Sequence, residues 1–296
     1  VSIVASGGQS VMHLKINWIG IVRGAGLSKF LNSRVINMSY LLAPIYKPIG
    51  YTPLQALNKW RLQHKDWDGL KMTYTGRLDP MAEGVMLIAI DEALQDQSKY
   101  QKLGKTYQAE ILFGFTTDSY DALGLPKEVI KQPILEGVKK EVASLVGDFK
   151  FSLPPFSSYK IKGKRLFWWA LQNRLAEIVI PQKTVLLNRL DFLSTKNYTA
   201  DQLINLLIDK FSRLQTDLRQ ETILQQWHKL LLENSNQFLS VNLEIDCSSG
   251  TYIRSLAKEL GRRLASGAIL LSLVRTRVGE YSIKDCEEIE ADNAKL

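Results

Sequence analysis

The 296-residue chain is 45% hydrophobic and 23% charged, which is enough apolar content for one or two buried cores and too much for global disorder. Its longest apolar runs, such as Val85 to Ile90, are far too short to span a bilayer as helices, and Cys247 and Cys286 offer neither a metal-type spacing nor a disulfide framework, so a reducing cytoplasm is expected. A formal net charge of +8 favours an anionic partner, of which nucleic acid is the commonest, although many basic proteins bind none.

Val1 to Asn37 carries Lys15, Arg23, Lys29 and Arg34 and no acidic residue, which is half of the net charge. It shows no clear secretory signal. A transit peptide fits its composition loosely, and a start at Met38 fits better, so residues 1–37 are set apart as an extension and 38–296 as the working domain. Thr52 to Gln63 places Leu54, Leu57, Trp60 and Leu62 near helical spacing. Lys71 to Gly84 reads as a polar loop, and Val85 to Ile90 as a buried strand. From Tyr107 to Phe113 the residues alternate, with Tyr107, Ala109, Ile111 and Phe113 facing one buried side. Pro133 to Val146 reads as a helix. The stripes Leu203, Leu207, Phe211, Leu214, Leu218 and Ile223, Trp227, Leu230, Leu231 predict a helical hairpin near 198–236, inserted in a strand region and packed on the body. Leu239 to Cys247 alternates again, and Ser248-Ser249-Gly250 turns the chain. A last helix carries Ile253, Leu256, Leu260 and Leu264 and is expected to close at Gly267. The class is α+β.

The segment Tyr74-Thr-Gly-Arg-Leu-Asp-Pro-Met-Ala-Glu-Gly84 is the most informative. Pro80 pushes Asp79 into an extended backbone, which holds its carboxylate rigidly in a loop before a buried strand. That suits a catalytic nucleophile or base, but an ordinary capping or turn aspartate, common before proline, is the commoner reading of the residues alone. Lys160, Lys162, Lys164 and Arg165 lie among Phe156, Tyr159, Phe167 and Trp168. Such a mixture can neutralise phosphates and stack on unpaired bases, or simply form a solvated loop. The three histidines, His13, His64 and His228, have no ligand spacing, and no metal is expected.

Taken together, several segments resemble the TruB family of pseudouridine synthases, in family order from about Tyr46 to Tyr281. Tyr74 to Gly84 is similar to its signature around the catalytic aspartate, which falls on Asp79. Tyr46-Lys-Pro-Ile-Gly50 is similar to the family's lysine-proline motif, which marks Lys47 and Pro48. Lys105-Thr-Tyr-Gln-Ala109 resembles the strand with the active-site tyrosine, here Tyr107. Thr117 to Gly124 resembles the threonine-aspartate-x-x-aspartate segment. Pro154 to Leu166 resembles the RNA-contacting loop. Cys247-Ser-Ser-Gly-Thr-Tyr-Ile-Arg-Ser255 resembles the motif that sets an arginine, here Arg254, beside the aspartate. Ser272-Leu-Val-Arg275 puts the apolar pocket residue on Leu273.

The resemblance implies a pseudouridine synthase fold, a mixed and mainly antiparallel sheet flanked by helices and loops. It implies isomerisation of a uridine at position 55 in the T-arm loop of tRNA, by base flipping and without cofactor, metal or membrane, in a monomer. Asp79 would attack the sugar or abstract its proton. Arg254 would keep it ionised, because an opposite charge lowers a carboxyl pKa. Tyr107 and Leu273 would receive the flipped base, with Tyr252 behind and Tyr74, Lys47 and Pro48 nearby, while the Lys160 to Arg165 cluster would hold phosphates. The core packing that Tyr107 also suits, another RNA as substrate, and a non-catalytic RNA-folding chaperone are the competing readings. Tyr74 and Thr73 stand where the family usually has histidine and glycine, the hairpin near 198–236 is unusual, and the family's small C-terminal PUA-like RNA-binding domain is expected to be missing.

Overall fold

The computed structural model describes residues 41–129, 132–233 and 237–290. The extension 1–37 and the start at Met38 lie outside the described residues, which belong to one compact unit.

The chain opens with β1 (Leu41–Lys47) and α1 (Pro53–Gln63). Thr52 caps α1 in a reciprocal box: its side chain accepts from the Gln55 amide while the Gln55 side chain accepts from the Thr52 amide. Next come β2 (Met72–Tyr74), β3 (Ala82–Ile90), α2 (Gln97–Gln101) and β4 (Lys105–Phe113). A small ribbon, β5 (Phe115–Thr117) with β6 (Pro126–Val129), precedes α3 (Leu135–Ser144) and β7 (Gly147–Ser152). Strands β8 (Lys160–Ile161) and β9 (Lys164–Arg165) form a second ribbon, followed by α4 (Leu166–Leu171) and the long β10 (Gln182–Tyr198). Helices α5 (Ala200–Ser212) and α6 (Gln220–Leu232) precede β11 (Phe238–Cys247), α7 (Ile253–Arg263), β12 (Ala268–Val278), β13 (Tyr281–Ser282) and β14 (Glu287–Glu288).

The expected α+β arrangement is present. The main sheet runs β14-β1-β3-β12-β4-β11-β10-β7, with β2 beside β3 and β13 beside β12. Its pairings are antiparallel except β1 with β14 and β12 with β3. The β12–β3 contact covers only Leu273, Val274 and Arg275 against Ala82, Glu83 and Gly84, directly after the Asp79 loop. This pairing draws β3 back to Ala82, three residues before the apolar run that marks it in sequence. The expected polar loop is also shorter than Lys71 to Gly84, because Met72 to Tyr74 pairs with Ile90 to Ile88 as β2.

Both faces of the sheet are covered at its centre. On one face Tyr107, Ala109, Ile111 and Phe113 pack with Leu243, Ile245, Leu256 and Leu260 under α3 and α7. On the other, Leu112, Ile269 and Leu271 pack with Leu203, Leu207, Phe211, Ile223 and Trp227 of α5 and α6. The inserted hairpin therefore buries a second sheet face, which explains why β4 breaks strict alternation at Leu112. A third core joins Ile45, Met86 and Ile88 to Trp60 of α1. Among the described residues, no helix is long and apolar enough to cross a membrane.

Helix α7 does not close at Gly267. The Ala265 amide donates to the Arg262 carbonyl and the Ser266 amide to the Gly261 carbonyl, a Schellman turn with exposed Ala265 at φ 49°. The left-handed region costs an L-residue about 1–2 kcal/mol, partly offset by the freedom a glycine loses on folding. Ala265→Gly should therefore stabilise the protein by about 0.5–1 kcal/mol, seen in thermal unfolding as a Tm higher by about 2 °C.

Candidate active site

Asp79 sits between β2 and β3, in a loop held at both ends of its Asp-Pro step. The Ala82 amide donates to the Asp79 carbonyl at 3.0 Å, and the Gly50 amide donates to the Pro80 carbonyl at 2.8 Å. The turn after β1 thus grips the loop from outside. Arg254 projects from the first turn of α7, and its Nη2 lies 2.8 Å from Asp79 Oδ2. The two ends of this ion pair differ in exposure: the arginine side chain is 4% exposed and the aspartate 40%.

A buried guanidinium must be surrounded by acceptors, because an uncompensated internal charge is costly. Arg254 Nη1 donates to the Ser119 carbonyl at 3.1 Å and Nη2 to the Phe156 carbonyl at 3.2 Å. Nε faces Asp121 Oδ2 at 3.6 Å, a charge contact longer than a hydrogen bond. Burial alone would pull the Arg254 pKa down, but Asp79 and Asp121 outweigh it and leave it above the ordinary arginine value. Burial pushes Asp121 up to about 6, against the pull of Arg254 and the Ser119 hydroxyl, so Asp121 is mostly ionised at neutral pH. Its Oδ1 accepts from the Ser119 hydroxyl at 2.6 Å and the Leu123 amide at 3.0 Å. Arg254 is thereby fixed from four sides and presents one amino group to a carboxylate that solvent can reach.

Tyr107 and Leu273 lie on adjacent strands, β4 and β12, at the short parallel junction with β3. Leu273 is in register with Ala109 and Ala82, and Arg275 with Tyr107 and Gly84. Tyr107 is 7% exposed and Leu273 8%, both within the first core, so room for a base there requires these side chains or their neighbours to move. Burial raises the Tyr107 pKa, and the adjacent Arg275 cation works against it, which leaves a neutral phenol at physiological pH. Tyr252, the residue before α7, is half-buried, with its ring 6.1 Å from that of Phe151. Burial raises its pKa and the Asp79 charge adds to that, so it too is neutral beside the carboxylate.

Lys47 and Tyr74 differ in burial, the first wholly and the second half-buried. Lys47 is fully buried, and its ammonium donates to the carbonyls of Pro48 at 2.9 Å and Tyr51 at 2.7 Å. Burial and the nearby Arg275 pull its pKa down to about 7, against Asp79 and Glu83. Its two hydrogen bonds tie the turn whose Gly50 amide holds Pro80, and direct contact with a substrate would require the burial of Lys47 to be undone. Pro48 is half-buried in the same turn. Tyr74 packs with the third core around Trp60.

Lys160, Lys162, Lys164 and Arg165 form the exposed β8–β9 ribbon, turned by Lys162 at φ 48° and Gly163 at φ 77°. Lys164 Nζ lies 5.3 Å from the Trp168 ring centre, and Arg165 lies 5.8 Å from that of Phe167. The ribbon is both basic and faced with aromatics. Among the described residues no group of three or more His, Cys, Asp or Glu could hold a metal ion.

Sequence reasoning assigns no role to Asp121 or Arg275. Asp121 is the second aspartate of the Thr117 to Gly124 segment, and Arg275 ends the Leu273-Val-Arg segment, so both lie within motifs that the sequence displays. Arg275 is 1% exposed and donates from Nε to the Val85 carbonyl at 2.7 Å and from Nη1 to the Arg77 carbonyl at 3.0 Å, tying β12 to both ends of the Asp79 loop. A strand pattern cannot announce this, because a charged residue at an inward position usually argues against burial.

The fold is shared with chains of solved complexes. A chain of a Cbf5-Nop10-Gar1 complex superposes with a TM-score of 0.52 at 18% identity, covering 84% of this chain and 52% of that one. A chain of the archaeal box H/ACA sRNP Nop10-Cbf5 complex does so at 0.51 and 16%, covering 87% and 54%. This chain thus spans about half of each. In sequence, residues 59–209 match the model for TruB family pseudouridylate synthase (N terminal domain). The tRNA pseudouridine synthase B of Parabacteroides distasonis is 30% identical over 255 residues, 82% of this chain and 89% of that protein. The protein of the same name from Mycobacteroides abscessus is 31% identical over 259 residues, 86% and 73% respectively. The chain belongs to the TruB family of pseudouridylate synthases.

The place of Lys47 is testable. Lys47→Met keeps much of the apolar stem and removes the donor from two backbone carbonyls. It should cost about 1–3 kcal/mol of stability in urea unfolding while leaving RNA affinity within a few-fold. A loss of affinity with unchanged stability would instead put Lys47 on the RNA.

Proposed function

We propose that this protein is a tRNA pseudouridine synthase that converts the uridine at position 55, in the T-arm loop, to pseudouridine. The observation that carries the proposal is the pairing of Asp79, 40% exposed, with Arg254, almost wholly buried, at 2.8 Å. The names of the relatives in the same family support tRNA as substrate.

The reaction breaks the N-glycosidic bond of a uridine, turns the base and rejoins it through carbon. No redox change or outside group is needed. The target must leave its stack, at a cost of a few kcal/mol. The exposed side of Asp79 then acts on the nucleotide, either by attacking the sugar or by taking a proton from it. Arg254 holds the carboxylate in place for either step through the 2.8 Å contact of its Nη2 with Asp79 Oδ2. Because the Ser119 and Phe156 carbonyls and the Asp121 carboxylate already hold Arg254, it need not reorganise as the reaction proceeds. Tyr107 and Leu273, on neighbouring strands, offer a ring and an apolar wall to the flipped base, and Tyr252 borders the same carboxylate. The β8–β9 ribbon binds the RNA backbone and stacks on unpaired bases. The protein acts in the cytoplasm as a monomer.

Asp79→Asn keeps the size of the side chain and removes its charge. Pseudouridine mapping in tRNA incubated with this variant should show no product, while its RNA affinity stays within several-fold of the parent. Substantial turnover would refute the assignment of Asp79.

The ribbon has its own signature. If Lys164 and Arg165 neutralise phosphates, replacing either with alanine should weaken binding and reduce the logarithmic salt slope by about 0.7–0.9 for each phosphate no longer neutralised. Preference for T-arm RNA should persist, because phosphate contacts position RNA without reading bases. Unchanged slopes in both variants would place the phosphate contacts elsewhere.

A further inference from the structure

Helices α5 and α6 cover the second sheet face, but the linker between them, residues 213–219, extends past that core. It reaches the residues that hold the two halves of the Asp79–Arg254 pair, and it does so at two places.

The first place is the turn after β1. The Gln215 amide donates to the Gly50 carbonyl at 3.1 Å, while the Gly50 amide donates to Pro80, the neighbour of Asp79. One residue, Gly50, thus joins the linker to the Asp79 loop. Gln55, at the start of α1, adds donors to the Gln215 carbonyl at 3.1 Å and the Thr216 hydroxyl at 3.2 Å. Gly50 has φ 92°, and a side chain there would collide with the Arg213 carbonyl, so the approach needs glycine on both counts.

The second place is the arginine end. Arg219 lies with its guanidinium 4.8 Å from the ring centre of Phe156, whose carbonyl accepts from Arg254 Nη2. Both amino groups of Arg219 reach Asp118 Oδ2, at 3.2 and 3.3 Å, and Asp118 Oδ1 accepts from the Leu125 amide. Asp118 directly precedes Ser119, whose carbonyl takes Arg254 Nη1. Two of the Arg254 acceptors are therefore attached to groups that Arg219 touches. Arg219 itself is at φ 68°, a left-handed conformation that costs a non-glycine residue energy, and its amide donates to Asp217 Oδ1 at 2.9 Å. A strained backbone persists where surrounding contacts over-determine it, and here those contacts are the ones that reach Phe156 and Asp118.

We propose that the α5–α6 linker braces the Asp79–Arg254 pair from both sides, with Arg219 as the positioning residue on the arginine side. The inference rests on the assignment of Asp79 and Arg254 above. Arg219 touches neither reacting group. It fixes Phe156 and the Asp118–Ser119 step, which fix Arg254, which fixes the carboxylate. Loss of the brace should lower the rate of the bound complex more than the affinity for RNA, since small errors of placement at reacting groups are expensive in rate.

The test uses the full-length protein with tRNA under single-turnover and binding conditions. Arg219→Gly removes the side chain and also relieves the left-handed backbone, so Tm should stay within about 2 °C of the parent, a sub-kcal/mol change. The rate of pseudouridine formation at saturating enzyme should fall by roughly tenfold, less than the roughly hundredfold that a full 1 Å misplacement can cost. RNA affinity and its salt slope should be unchanged. Arg219→Lys, which can keep the ion pair with Asp118 but not the planar contact with Phe156, should recover part of the rate. An unchanged rate in Arg219→Gly overturns the proposal. So does a loss confined to affinity with a shallower salt slope, which would make Arg219 a phosphate ligand, or a rate loss that tracks a large drop in Tm. Asp79→Asn is run beside them: an active Asp79→Asn removes the functional assignment, whereas an inactive one with a fully active Arg219→Gly removes only the brace.

Discussion

A guanidinium buried to 4% exposure is the interaction on which the site depends. Arg254 cannot stay charged in the interior unless acceptors surround it, and the acceptors come from separate parts of the chain. Asp79 comes from the β2–β3 loop, Ser119 and Asp121 from the β5–β6 ribbon, and Phe156 from the segment before β8. Removing any one would leave part of a buried charge uncompensated, with a cost that can reach several kcal/mol. The same demand that makes the arginine hard to bury makes it a precise anchor for Asp79. Precision at the carboxylate follows from the solvation of its partner.

The sheet supplies the platform for this arrangement. A mainly antiparallel sheet is interrupted by one short parallel contact, β3 with β12, at the point where the Asp79 loop re-enters the strands. Arg275 stitches that point by binding the carbonyls of Arg77 and Val85, one on each side of the loop. Lys47 does similar work from the edge, holding the turn whose Gly50 amide binds Pro80. Three buried cations, Lys47, Arg254 and Arg275, thus organise backbone carbonyls around one exposed carboxylate.

The α5–α6 hairpin covers one face of the sheet and also reaches the residues around the ion pair. Its apolar stripes answer a sheet face rich in Leu112, Ile269 and Leu271, which would otherwise meet water. Once seated, its linker lies within reach of the Gly50 turn and of Asp118 and Phe156. The polar contacts made there concern the same carbonyl groups that position the ion pair.

Much of this was legible in the residues alone. The 3.6-residue stripes of α5 and α6, the alternation of β4 and β11, the rigid Asp79-Pro80 step and the membership in a pseudouridine synthase family follow from local periodicity, proline sterics and ordered motifs. These properties depend on neighbours in sequence, so the sequence expresses them directly. What only the tertiary structure decided is which distant groups meet. It seats the Lys47 ammonium on the carbonyls of Pro48 and Tyr51 and packs Tyr74 against the third core. It ends α7 at Ala265 rather than Gly267, buries Leu112 on the far side of β4, and gives Arg254 a second carboxylate in Asp121. Each of these depends on compensating a desolvated charge or covering an apolar face with chain from elsewhere, and those free energies exist only once the chain has folded.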